Sequence, residues 1–131
     1  MSARATGTFE ITAWEQEDYD PAEGALLSRA RVTKRFSGEI EGTSVADLLL
    51  ATTQGDSAAY VGLERVVAEV HDRAGTFVLV HRAVGSVAST ETVLAIVPGS
   101  GTGELAGLRG AATIVRTRQG GHLFTLEYDL D

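Results

Sequence analysis

Four ionisable side chains lie within stretches of sequence that are otherwise apolar. They are Glu10 in "TFEITAW", Glu64 in "VGLERV", His81 in "FVLVHRA" and Glu127 in "FTLEYDL". Charge is costly to bury unless it is paired, and an apolar cavity raises the pKa of a carboxyl group. A carboxylate or an imidazole in such surroundings can donate or accept a proton near neutral pH. We therefore take Glu10, Glu64 and His81 as candidate catalytic acids or bases.

Aromatic side chains accompany two of these residues at an even spacing. Trp14 follows Glu10 by four positions, and Tyr60 precedes Glu64 by four. In a strand, where side chains alternate, each aromatic ring would share a face with its glutamate. Aromatic walls around a few polar groups are typical of a small-molecule pocket. Trp14 and Tyr60, with Glu127 as an outlying third member, are the candidate ligand-binding residues.

The same residues also have purely structural interpretations. Half of the side chains of a barrel strand face solvent, and Glu127 has the most solvated surroundings of the four. Glu64 could simply pair with Arg35 or Arg82 across neighbouring strands. His81 could be a hydrogen-bonded structural histidine.

Alternating apolar and polar residues predict strands along most of the chain. The alternation is clear in "ATGTFEITAW" and "LLSRARVTKRFSGEIEG". "TSVADLLLATT" opens with a Ser-x-x-Asp capping pattern but is short and ends in β-branched threonines, which favours a strand. "HDRAG" and "RQGG" predict hairpin turns. About eight strands and no convincing helix predict one all-β domain, residues 1–131, built as an antiparallel barrel or sandwich.

One strand favours the closed barrel. In "FVLVHRAV" both faces are apolar, since phenylalanine, leucine and alanine alternate with three valines. Such a strand needs cover on the outside as well as in the interior. We therefore expect a barrel that forms a homodimer or a larger homo-oligomer through its outer wall.

Composition narrows the classes of function. The chain has 131 residues, a formal net charge of −7 and no cysteine. The acidic surface disfavours nucleic acid as a partner, and without cysteine there is no disulfide or thiolate site. The first residues lack the apolar stretch of a signal peptide, and no apolar run is long enough for a membrane span, so we expect a cytoplasmic protein. The three histidines (His71, His81 and His122) are scattered without ligand spacing, and no metal is expected.

The segment "VPGSGTGELAGLRG" is as rich in glycine as a phosphate-binding loop, but it lacks the other residues that such a loop needs. A Walker loop needs a lysine, and the dinucleotide fingerprint needs glycine where Glu104 stands. No helix follows, so we expect neither a nucleotide nor any other cofactor. The segment instead predicts a wide turn that re-enters the barrel. The hydroxyls of Ser100 and Thr102 would satisfy turn amides, and Leu105 and Leu108 would plug one end of the core.

The glycine segment "PGSGTGELAGLRG" resembles that of allene oxide cyclases and dirigent proteins. The whole chain is similar to a family of small bacterial proteins of unknown function with the allene-oxide-cyclase barrel fold, through "ATGTFEITAW", "RFSGEIEGTS", "YVGLERV", "FVLVHRA" and "GHLFTLEYDL". The resemblance implies an eight-stranded, allene-oxide-cyclase-like barrel. The catalytic residues of that enzyme have no alignable motif in this sequence, and none is transferred.

Three hypotheses about function follow. The protein could be a cyclase or isomerase acting on an apolar small molecule inside the barrel, or a carrier that binds such a molecule without chemistry. Alternatively, side chains could fill the interior, and the outer wall would then matter through oligomerisation. Eight strands enclose a space that side chains just fill or that holds one small ligand. With only eight aromatic residues, four Phe, three Tyr and one Trp, the sequence favours a space for a ligand.

Overall fold

Eight antiparallel strands close into a barrel in chain order, so that β8 pairs with β1. The structure is a computed structural model, which describes residues 2–55, 57–86 and 90–130. The strands are β1 (Ala3–Asp20), β2 (Leu26–Gly38), β3 (Ile40–Thr52), β4 (Ser57–Val70), β5 (Arg73–Ser86), β6 (Thr90–Ile96), β7 (Arg109–Arg116) and β8 (His122–Asp129). The predicted all-β, eight-stranded antiparallel barrel is confirmed.

One half of the barrel interior is filled by side chains. Its buried core includes Phe36, Ile40, Phe77, Leu79 and Phe124. The rings of Phe36 and Phe124 meet edge to face, with centroids 5.2 Å apart, a favoured aromatic geometry. We call this half the packed end, and the half that contains Val32, Ala46 and Leu48 the open end.

The glycine segment (97–108) lies along β5 and completes the packed end. The amide of Thr102 donates to the carbonyl of Thr76 at 2.9 Å, and the amide of Thr76 donates back to the Thr102 hydroxyl at 3.1 Å. The amide of Val78 donates to the Ser100 hydroxyl at 3.0 Å. A short 3₁₀ helix (Gly103–Leu105) then turns Leu105 into the core. The turn that re-enters the barrel, predicted from the sequence, is confirmed.

Glycine is required where this segment approaches β5 and where the segment folds back on itself. A Cβ atom at Gly75 would overlap the carbonyl oxygen of Thr102, and one at Gly101 would overlap the carbonyl oxygen of Leu105. The hairpin predicted at "HDRAG" is present between β4 and β5, but its loop is shorter than predicted. The turn consists of His71 and Asp72, whose φ angles are 47° and 66°, as in a two-residue hairpin loop.

A β-bulge in β1 changes which side chains face inward. Ile11 pairs with Lys34 and Ala13 with Thr33, so one extra residue, Thr12, lies between these pairs. An extra residue in one strand reverses the alternation beyond it. The expectation that Glu10 and Trp14 share a face was consequently wrong.

No helix in the described ranges has the length and apolar character needed to cross a membrane.

Candidate functional site

The open end of the barrel contains a cavity of about 210 Å³. Aromatic side chains form much of its wall, and three basic side chains, one lysine and two histidines, lie among them. These six residues are Phe9, Trp14, Tyr60, His122, Lys34 and His81. An apolar cavity of roughly 150 Å³ accommodates benzene, so this one has room for a ring with a short substituent.

Lys34 and His81 at the cavity wall belong to a hydrogen-bonded group of four polar side chains. Glu64 is fully buried, at 0% exposure, and its Oε1 accepts from Lys34 Nζ at 3.2 Å and from His81 Nε2 at 2.5 Å. The other carboxylate oxygen accepts from the Ser44 hydroxyl. We call Glu64, Lys34, Ser44 and His81 the Glu64 cluster.

Strand alternation brings the Glu64 cluster together. Its members come from β2, β3, β4 and β5, four consecutive strands, and each occupies a buried position between two exposed or half-buried neighbours. Gly62 lies directly opposite His81 in the pairing of β4 with β5. A Cβ atom at Gly62 would overlap the carbonyl oxygen of Asp47. Glycine therefore allows β3 and β4 to approach closely beside the imidazole.

The surroundings of Glu64 keep it ionised. Burial raises the pKa of this carboxyl group, but the hydrogen bonds from His81 and Ser44 and the positive charge of Lys34 outweigh burial and lower the pKa to about 2. At neutral pH the carboxylate is therefore an acceptor only, and each of its three partners donates.

The depressed pKa predicts a loss of stability in acid. The ordinary carboxyl pKa is 4.5, and the folded value is about 2, so the unfolded chain binds the proton more tightly. The stabilisation is complete above the unfolded pKa and is lost as the pH falls through the folded one, by on the order of 3 kcal/mol. Urea unfolding across this range should show a weaker pH dependence for Glu64→Gln than for the native chain. Equal slopes would contradict the assignment.

Two aromatic contacts complete the cavity wall. The Tyr60 ring centroid lies 6.2 Å from that of His81, and burial, with a smaller contribution from the charge of Glu64, raises the pKa of the phenol. Tyr60 thus remains a hydrogen-bond donor at neutral pH. Lys34 Nζ lies 4.5 Å from the centre of the Phe9 ring, a favourable cation–π arrangement.

The sequence matches a family profile over nearly its whole length. The profile of DUF3224, proteins of unknown function, covers residues 5–128. The chain belongs to the DUF3224 family. A crystal structure of a DUF3224 protein of unknown function from Shewanella oneidensis MR-1 is 33% identical, with a TM-score of 0.90 over 100% of this chain and 99% of that one. No curated protein matches the chain significantly.

Three of the residues singled out in the sequence line the cavity of this DUF3224 barrel, and a fourth, Glu64, lies behind one of them. Glu64 and His81 are hydrogen-bonded to each other, and Trp14 and Tyr60 line the same space as His81. The alternative partners proposed for Glu64, Arg35 and Arg82, were wrong, because both face outward.

The other two candidate residues lie on the outer surface of the DUF3224 barrel. The Glu10 carboxylate is 3.4 Å from Arg35, and the Glu127 carboxylate is 2.6 Å from Arg4. All four side chains are well exposed, so the structure does not bring Glu10 or Glu127 to the cavity.

Sequence reasoning missed Lys34 and Ser44. Lys34 is the chain's one lysine, and it alternates in register with buried Val32 and Phe36. That position was a usable signal, because a single lysine on the apolar face of a strand needs a buried counter-charge. Among the described residues of this DUF3224 chain, no group of three or more metal-ligating side chains is placed to hold an ion.

Proposed function

We propose that the protein binds a small, mainly apolar carbonyl compound at the open end of the barrel and moves a proton on it, as a cyclase or isomerase does. The observation that carries this proposal is the hydrogen bond of 2.5 Å between the ionised Glu64 and Nε2 of His81, at the wall of an apolar cavity. A carboxylate behind an imidazole is a common way to make histidine a general base.

The hydrogen bond sets the tautomer of His81. Ionised Glu64 can only accept, so neutral His81 carries its proton on Nε2 and has a lone pair on Nδ1. Nδ1 is then the atom that takes a proton from a carbon next to the substrate's carbonyl group. The imidazolium that forms is stabilised by Glu64, which lies against its other nitrogen.

Lys34 supplies the complementary positive charge. Its ammonium group has three N–H bonds, one of which is directed to Glu64. The remaining donors suit the carbonyl oxygen, on which negative charge develops as the electron pair of the broken C–H bond forms the enolate. Tyr60 provides a further hydroxyl donor. Return of the proton from Nδ1 to a different carbon yields an isomer, with no change in atoms or oxidation state.

The apolar walls support a cyclase in particular. A cavity of about 210 Å³ holds a flexible molecule in few conformers, which lowers the entropic part of a ring-closure barrier. The resemblance of the glycine segment to that of allene oxide cyclases supports the same class of reaction.

The test is deuterium exchange into monocyclic ketones such as acetophenone, in D₂O, followed by proton NMR. We expect the native protein to accelerate exchange next to the carbonyl, and His81→Asn to lower the rate by roughly 10²–10⁴-fold, the usual contribution of a general base. Glu10→Gln, on the outer surface, is the matched control and should exchange at the native rate. If the native protein exchanges no faster than buffer across the panel, the proposal of chemistry fails.

Ligand carriage without chemistry is the second candidate. No buried side-chain nitrogen or oxygen in the described part of the chain lacks a hydrogen-bond partner, so no buried polar atom there requires a substrate to complete its hydrogen bonding. Trp14, at the cavity wall, is the chain's one tryptophan, and its fluorescence reports binding independently of turnover. Binding of the ketones without exchange would favour this carrier.

A further inference from the structure

The outer wall of the barrel carries a block of exposed apolar side chains bordered by charged ones. Leu49, Val61, Leu63 and Val80 are all well exposed. Strand pairing places Leu49 opposite Val61 and Leu63 opposite Val80, so the four side chains form one central block. Exposed valines flank it at Val45, Val67, Val84 and Val93. Asp47, Arg65 and Arg82 lie between the block and these valines. Single exposed aliphatic residues are normal, but an apolar block with a charged border is typical of an interaction surface.

This face is also concave. A groove of about 1090 Å³ crosses β1 to β5, with the central block in its floor. It passes over Gly62, where β3 and β4 approach closely. A twisted barrel is convex around its circumference and concave along its axis. Two such saddle-shaped surfaces fit each other when their strands cross at near right angles, a known mode of sheet packing.

Charge changes sign along the groove. At the end formed by β1 to β3, the carboxylates Glu15, Glu17 and Asp47 face two arginines. Arg29 lies 3.8 Å from Glu17, and Arg31 lies 2.9 Å from Asp47. Strand pairing places Asp47 opposite Leu63, at one corner of the central block. One negative charge is left over at that end. At the β5 end lies Arg82, which has no ion pair within the described residues.

We propose that a second copy of this chain covers this face, in a two-fold homodimer with crossed strands. In such an interface each surface meets itself, so a contact of residue i with residue j occurs twice. A two-fold axis in the plane of the interface, running diagonally across the central block near Gly62, relates copies whose strands cross. It brings Arg82 of each copy to Asp47 of the other, where opposite charges meet at the rim of an apolar centre. The inference does not depend on what occupies the cavity.

Light scattering on a sizing column tests the proposal. We expect the native chain to be a dimer and Leu63→Lys to be a folded monomer. Val115→Lys is the matched control, because Val115 on β7 has the same exposure as Leu63, 56%, but lies away from the groove. It should remain a dimer. Circular dichroism on both variants separates loss of association from loss of folding.

A second variant tests the charge pattern. Arg82→Glu should weaken the dimer by roughly tenfold or more at low salt, because it brings like charges together. A monomeric native chain overturns the proposal, and so does a Leu63→Lys variant that stays dimeric. A native chain that is monomeric alone but binds lipid vesicles or another protein through Leu63 would also overturn it, since the occupant would then be of a different kind.

Discussion

Replacing Glu64 with glutamine is expected to lower the free energy of unfolding by about 3–5 kcal/mol, because it removes one member of a buried ion pair. Lys34, at 7% exposure, would lose the carboxylate that it pairs with in the native chain. His81 and Ser44 would each lose a charged acceptor. Urea unfolding at neutral pH, followed by circular dichroism, measures the change.

Glu10→Gln is the control for this effect. Glu10 also pairs with a cation on a neighbouring strand, Arg35, but both side chains are exposed, and exposed pairs contribute about 0–1 kcal/mol. Equal losses for the two variants would mean that burial of the Glu64 cluster has no energetic consequence. A combined Lys34→Met and Glu64→Gln variant should recover part of the stability, because the unpaired charge is removed.

Leu105→Ala is expected to lower the free energy of unfolding by about 2–5 kcal/mol, the usual cost of a cavity in a packed core. Leu105 is fully buried, and it is held in the core by a segment that contributes hydrogen bonds to β5. A loss of packing there weakens the closure of the barrel at the packed end. The change can be measured by thermal and urea unfolding.

Leu123→Ala provides the comparison for Leu105→Ala. Leu123 is partly exposed on β8, so the same truncation should cost less than about 1 kcal/mol. If Leu105→Ala were no more harmful than Leu123→Ala, the glycine segment would be a loose loop rather than a structural part of the barrel.

The parts of the fold that depend on local sequence could be predicted. Period-two alternation identified the strands, and the absence of helical periodicity identified the class. The glycine segment could be predicted too, because Leu105 and Leu108 stand out as large apolar residues among small ones, and Ser100 and Thr102 carry hydroxyls suited to bonding amides.

The contacts of the candidate site depend on the register, that is, on which residues of neighbouring strands lie opposite each other. The register cannot be read from the sequence of any one strand. Glu64 and His81 could be singled out separately, but their hydrogen bond follows from how β4 pairs with β5. Lys34 was overlooked in favour of arginines, although alternation places it inside. The register of each strand is fixed by which of its two faces is buried. That choice is made only when all the strands pack together in the closed barrel.

The side-chain partners on β1 could not be predicted for a related reason. The bulge at Thr12 involves neither glycine nor proline, so no residue type in the sequence indicates it. From Ala13 to Asp18, where a second register shift follows, every side chain faces the opposite way from the expectation. This is why Trp14 lies at the cavity wall while Glu10 lies outside.

The bulge makes the length of β1 more important than its composition. Deleting Thr12 would restore alternation up to the second register shift at Asp18 and turn Trp14 to the opposite face of the sheet. Thr12→Ala would leave every later side chain where it is. Relatives that keep this cavity can therefore vary the residue type at this position freely. They should tolerate a single-residue insertion or deletion in this strand only when a second one, before Trp14, cancels it.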